Sequence, residues 1–238
     1  MSYPRWIAHR GAGHQAPENT MAAFRAGFES GFRMFECDAK LSSDGVVYLL
    51  HDDTLNRTTN AAGPAHLLAW NELKLLDAGS WHSKSFEGEA IPTLEEIIRF
   101  CLDKQCQLNI EIKPSLGFET QTGESVAREV QRLWSGQPPL LSSFKREALR
   151  GAQSIAPEIP RGLLMDALAP DWHEATKDMQ CSALICNEKL YNTRLLDEIK
   201  ARDLCALAYT VNNQTRAQML MEMGIDAIIT DCMEFASL

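Results

Sequence analysis

An α/β fold closed into a single (β/α)8 barrel is what this sequence predicts, on three observations. Short apolar runs alternate with amphipathic stretches, the pattern of β/α units around a parallel sheet. Eight of those runs qualify as barrel strands, near 5–9, 34–40, 107–113, 140–143, 161–165, 182–186, 204–211 and 226–230. A chain of 238 residues with 45% hydrophobic side chains is long enough for the core of one barrel, so residues 1–238 are expected to form one domain.

The helices between the strands are read from their punctuation. Asn19 is expected to cap a helix in which Met21, Phe24 and Phe28 share a face and Gly31 ends the run. Thr93 with Glu96 forms a capping box opening a helix through Leu102, and a last long helix near 214–223 ends at Gly224. Residues 53–91 break the alternation: Asn60, Gly63, Pro64, Gly79 and Gly88 are turn residues, and Trp70 to Leu76 is one short helical patch. This segment reads as an insertion after the hairpin of the second strand. It either covers the barrel mouth as a lid or packs as a small satellite cluster over one barrel end.

Composition narrows the class of partner. A net charge of −9 and a pI near 5.2 oppose non-specific binding to nucleic acid or an anionic membrane. Cysteines 37, 101, 106, 181, 186, 205 and 232 include no C-x-x-C pair and lie mostly in apolar stretches, as reduced core residues do. No uncharged apolar run approaches the ~20 residues that span a bilayer. A cytoplasmic protein without stable membrane association is the expectation.

Strands of a parallel barrel are buried on both faces, so ionisable residues inside them need a reason. Three runs carry such residues. Trp6-Ile7-Ala8 ends in His9 and Arg10; Phe35-Glu36-Cys37-Asp38 puts both carboxylates on one face by its period of two; Leu108 to Lys113 does the same with Asn109, Glu111 and Lys113. With the apolar partners facing the helices, the polar groups face the barrel axis. Glu36, Asp38 and Glu111 would then repel one another unless a cation intervened. One divalent ion, Mg²⁺ or Ca²⁺ foremost and Mn²⁺ also, suits an all-oxygen set, whereas zinc would call for Cys or His ligands. Alternatively, each acid pairs with an Arg or Lys.

A second imidazole follows from a turn. Asp44-Gly45 is a two-residue hairpin signal, and pairing Ser43 with Val46 across it sets Asp38 opposite His51. Two histidines, a metal and a cation suit phosphodiester cleavage. One imidazole removes a proton from the attacking oxygen and the other protonates the leaving alkoxide, while Arg10, Lys113 and the metal stabilise phosphoryl charge.

The motifs His9-Arg10-Gly11, Pro17-Glu18-Asn19-Thr20, Glu36-Cys37-Asp38, His51-Asp52, Ile110 to Pro114 and Tyr209-Thr210-Val211-Asn212 occur in an order that resembles the glycerophosphodiester phosphodiesterase family. The likeness covers essentially the whole chain, and Asp77-Ala78-Gly79-Ser80-Trp81 resembles the family's insertion. Among members, it is most similar to the short cytoplasmic bacterial enzymes of glycerol-phosphate uptake systems. The resemblance implies a TIM-type barrel, a divalent metal, and hydrolysis of a small glycerophosphodiester to sn-glycerol 3-phosphate and an alcohol. By position it implies His9 and His51 as the catalytic pair, Glu36, Asp38 and Glu111 as metal ligands, and Arg10 and Lys113 as phosphate contacts. Tyr209 departs from the tryptophan that many members carry, which touches specificity and not the reaction. Glu18 and Asn212 are weaker site candidates, since helix-opening and turn-shaping roles also explain them. Two other readings stay open: a lipase D-like action on lysophospholipids, which needs an apolar surface at the barrel mouth, and a phosphate-ligand sensor that has lost hydrolysis.

Overall fold

A computed structural model describes residues 3–237. The first half of the chain runs β1 (Trp6–Ala8), α1 (Met21–Glu29), β2 (Met34–Leu41), β3 (Val47–Leu49), α2 (Trp70–Leu73), α3 (Leu94–Asp103), β4 (Gln107–Ile112) and α4 (Glu119–Leu133). The second half adds β5 (Leu140–Ser143), α5 (Arg146–Ile155), β6 (Arg161–Met165), α6 (Trp172–Asp178), β7 (Ala183–Asn187), α7 (Thr193–Lys200), β8 (Cys205–Tyr209), α8 (Gln214–Met223) and β9 (Ala227–Thr230). Eight parallel strands close into a TIM-type barrel, because β1 pairs with β9 on one side and with β2 on the other. β3 hangs antiparallel from the far end of β2.

The period of two sorts the strand side chains as the sequence predicts. Ile7, Met34, Leu140, Ile185, Leu207 and Ile229 fill the barrel interior. Ala8, Phe35, Cys37, Leu108 and Ile110 belong to the larger core under the helices. Glu36, Asp38, Asn109 and Glu111 therefore share the inner face, and all four are buried.

Two local expectations are corrected. Ser42 N donates to Val46 O at 3.0 Å and Leu41 pairs with Val47, so the hairpin loop has three residues and Asp38 lies opposite Leu50, not His51. In such a loop the third residue is left-handed, and Gly45 takes that place at φ +88°. His51 still reaches the site because β3 ends at Leu49 and the chain bends at residue 51. The cap of α1 is Thr20, whose hydroxyl accepts from Ala23 N; Asn19, at φ +57°, is used elsewhere. Trp70 is half-buried against Tyr48, with ring centroids 6.4 Å apart. The capping box at Thr93 and the left-handed Gly224 after α8 stand as expected.

Residues 53–91 pack as a satellite. Leu55, Ala65, Leu73, Ala78 and Ile91 bury themselves against Tyr48 of β3. Of this segment, only Asp53 and Thr54 line a cavity at the barrel mouth.

One contact ties a helix to the site. Gly27 of α1 faces the carbonyl of Gly11, and a Cβ at residue 27 would lie 2.1 Å from that oxygen. Alanine in place of a helical glycine gains up to about 1 kcal/mol in propensity, but overpacking costs about 1–3 kcal/mol. The clash should win. Gly27→Ala is expected to lower the urea midpoint and, by displacing the turn after Arg10, to reduce turnover; unchanged values of both would refute the tight contact.

Candidate active site

The C-terminal ends of β1, β2, β4 and β9 deliver the polar groups, at the barrel face where this architecture holds its chemistry. His9 and Arg10 leave β1 through a turn that Arg10 enters at φ +50°. That turn aims the Arg10 amide at Glu36 Oε2, 3.1 Å away, while Arg10 Nε lies 3.3 Å from Asp38 Oδ2. Asp38 also accepts from Asn19 Nδ2 at 2.8 Å, and its own amide donates to Asn19 Oδ1 at 3.1 Å. Lys113 Nζ sits between Asp38 at 3.2 Å and Glu111 at 3.0 Å.

The three acids lie close enough to share one ion, with a carboxylate oxygen of each within 4.8 Å of the others. Ion pairing with Arg10 and Lys113 engages Asp38 and Glu111. Among the described residues Glu36 has only the Arg10 amide and, at 3.9 Å, His9 Nε2. The paired-cation alternative thus leaves one acid short. The electrostatics show the conflict: burial, with Asp38 and Glu111 adding to it, pushes Glu36 well above the usual carboxylate range. Burial and the charge of Asp38 move Glu111 up to about 7, against the pull of Lys113. Burial would raise Asp38 too, yet Lys113, Arg10, His51 and the Asn19 amide together hold it low. Asn109 adds a buried Oδ1 with no hydrogen-bond partner. A hard cation fits this donor set, which offers only oxygen and an excess of negative charge.

Each histidine is held by a carboxylate on its Nδ1. His9 Nδ1 lies 2.7 Å from Asp231 Oδ1, and His51 Nδ1 lies 2.8 Å from Asp52 Oδ1. A carboxylate accepts the Nδ1 proton, so each Nε2 is left for the cleft. Asn212 holds Asp231 in turn, donating from Nδ2 at 2.7 Å and accepting the Asp231 amide at 2.9 Å. Burial opposes charge on Asp231, but the bond to His9 and the Asn212 amide lower its pKa to about 2. Burial lowers His51, partly offset by Asp38.

Of the groups expected from sequence, His9, Arg10, Glu36, Glu111 and Lys113 line one cleft of about 170 Å³, with His51 and Asn109 beside them. Asp38 lies just beneath, on the same strand face as Glu36. Tyr209 lines the wall, its ring 5.8 Å from Phe144. A second cavity of about 460 Å³ opens beside it and shares His51, Glu111, Lys113 and Phe144. Asp231, Asp52 and the tie of Asn19 to Asp38 have no counterpart among the site residues expected from sequence. Asp231 could have been found as a carboxylate directly after the strand at 226–230, where a barrel places working groups.

Two carboxylate-held imidazoles beside three buried carboxylates, at the mouth of a parallel barrel, suit the hydrolysis of a phosphoric ester. Residues 9–234 match the glycerophosphoryl diester phosphodiesterase family, and the chain belongs to that family. It is 33% identical over 228 residues, 94% of this chain and 93% of the relative, to a glycerophosphodiester phosphodiesterase of Caldanaerobacter subterraneus. Among solved structures, an Oleispira antarctica phosphodiesterase in complex with the product sn-glycerol-3-phosphate is 36% identical, with a TM-score of 0.93 over 98% of this chain and 95% of that one. A glycerophosphodiester phosphodiesterase from Agrobacterium tumefaciens is 27% identical, with a TM-score of 0.83 and full coverage of both chains.

Asp231→Asn should preserve shape while removing the charge that fixes the His9 tautomer. Nitrogen-15 shifts of the imidazole are expected to show Nδ1–H lost as the major form, and turnover to fall roughly 10²-fold or more with KM little changed. A His9 tautomer unaffected by the substitution would contradict the assignment.

Proposed function

We propose that this protein hydrolyses glycerophosphodiesters to sn-glycerol 3-phosphate and an alcohol, with Glu36, Asp38 and Glu111 holding one divalent cation. The observation that carries this reading is the flanking of the three convergent acids by two carboxylate-held imidazoles. Bound there, Mg²⁺, Ca²⁺ or Mn²⁺ would supply Lewis acidity toward a phosphoryl oxygen and orient the neighbouring glycerol hydroxyl.

The chain's own residues do the rest. Arg10 and Lys113 line the smaller cleft beside the acids and offer guanidinium and ammonium donors to the phosphate. His9, with Nδ1 tied to Asp231, presents Nε2 to take a proton from the attacking hydroxyl. His51 borders both cavities, which supports a role beside an alcohol departing from the smaller toward the larger. It would protonate that alkoxide. The glycerol oxygen then binds phosphorus as the bond to the leaving oxygen breaks, giving a cyclic phosphate. Water opens the ring with the histidine roles reversed.

A second reading has one observation in its favour. Leu116, Phe118, Phe144 and Leu168, following β4, β5 and β6, are 90%, 42%, 39% and 41% exposed at the barrel mouth. Such a rim is the apolar surface that a lysophospholipid substrate needs. No helix among the described residues is long and apolar enough to cross a membrane. Parallel assays on glycerophosphocholine and lysophosphatidylcholine separate the two; the principal reading requires faster turnover of the first.

Chelation should abolish activity and a hard divalent ion restore it, with full turnover in excess chelator as the contrary result. Glu111→Gln should weaken metal affinity, read by calorimetric titration, more than it lowers Tm; an unchanged titration would remove Glu111 from the site. His9→Ala and His51→Ala should each lower kcat roughly 10²-fold or more. Rapid cleavage of an analogue lacking the neighbouring hydroxyl would replace the cyclic route with direct attack by water.

A further inference from the structure

Arg57 belongs to the insertion, follows no strand, and touches neither cavity. Its guanidinium nevertheless donates four hydrogen bonds to two carboxylates beside the site. Nη1 donates to Glu18 Oε2 at 2.7 Å and Nη2 to Glu18 Oε1 at 2.8 Å. Nε donates to Asp52 Oδ2 at 2.8 Å and Nη2 to Asp52 Oδ1 at 2.9 Å. Beyond each carboxylate stands a group of the proposed machinery. Glu18 Oε1 accepts from Arg10 Nη1 at 2.8 Å, and Asp52 Oδ1 pairs with His51 Nδ1 at 2.8 Å. A chain of alternating donors and acceptors therefore runs Arg10, Glu18, Arg57, Asp52, His51, joining the turn after β1 to the bend after β3.

We propose that Arg57 is a positioning residue of the hydrolytic site, a bidentate clamp by which the insertion fixes Asp52 and, through it, His51. This rests on the reading of His51 as an acid-base group. The two ends of the clamp differ in what else holds them. Arg10 is also held by Asp38, at 3.3 Å, and its amide by Glu36. Asp52 has only His51 and Arg57 as side-chain partners among the described residues. Loss of Arg57 would leave Arg10 in place but free the Asp52 carboxylate to rotate, and His51 with it. The consequence falls on kcat and not on substrate binding.

Stability separates this from a merely structural role. The Arg57 side chain is 43% exposed, and exposed ion pairs add little to folding. A clamp that contributes little to stability and much to turnover acts by geometry. Lysine cannot replace it, because one ammonium does not span two carboxylates in bidentate fashion.

The test compares Arg57→Ala, Arg57→Lys and Asp52→Asn in the metal-loaded enzyme with glycerophosphocholine as substrate. Arg57→Ala should lower kcat by roughly ten- to 100-fold, the scale of a small misplacement of a reacting group, with KM within about twofold and Tm nearly unchanged. Arg57→Lys should be nearly as slow. Guanidinium ion at non-denaturing concentration should restore part of the Arg57→Ala loss. The double variant Arg57→Ala/Asp52→Asn should be no slower than the slower single variant, because both act through one group. Wild-type kcat in Arg57→Lys, losses that multiply in the double variant, or a fall in Tm that accounts for the lost activity would each overturn the clamp. If His51→Ala retained wild-type kcat, the underlying reading would fail instead.

Discussion

Everything at this barrel mouth answers to one constraint, the burial of three carboxylates whose oxygens lie within 4.8 Å of one another. Like charges in a low-dielectric site repel strongly. The protein's reply is layered. Lys113 and Arg10 reach Asp38, Asn19 donates to it, and the backbone amide of Arg10 turns toward Glu36. The left-handed conformations of Arg10 and Asn19 are part of that reply, since each aims a donor at an acid. Glu36 remains under-compensated, and a divalent cation is the simplest partner with enough charge.

The same constraint explains the form of the histidine pair. Imidazoles beside concentrated negative charge keep one orientation only if each ring has a fixed partner. Asp231 and Asp52 take the Nδ1 side of each ring and keep Nε2 for the cleft. Asn212 and Arg57 then hold those carboxylates. The rings are fixed by partners drawn from the end of β9 and from the start of the insertion, so distant parts of the chain meet at the site.

Much of this was legible in the sequence because a parallel barrel strand has a period of two and two kinds of neighbour. Glu36 and Asp38 alternate with Phe35 and Cys37, and Asn109 and Glu111 with Leu108 and Ile110; only one face of each could meet helices. The hairpin register was not legible, since Asp44-Gly45 fits either a two- or a three-residue loop, and the Ser42 hydroxyl that accepts from Val46 N at 2.9 Å favours the longer one. Asn19 looks like an ordinary cap because its tie to Asp38 joins residues 19 positions apart. Asp231 lies 222 positions from its histidine. Side-chain pairs set by closure of the barrel leave no local pattern, whereas strand faces do.

Anomalous diffraction from crystals soaked with Mn²⁺ and sn-glycerol 3-phosphate tests the central claim most directly. The account predicts one strong peak about 2.0–2.6 Å from oxygens of Glu36, Asp38 and Glu111, with the Lys113 ammonium moved from between the acids toward the phosphate. A peak elsewhere, or none with Lys113 still bridging Asp38 and Glu111 beside bound glycerol phosphate, would contradict it.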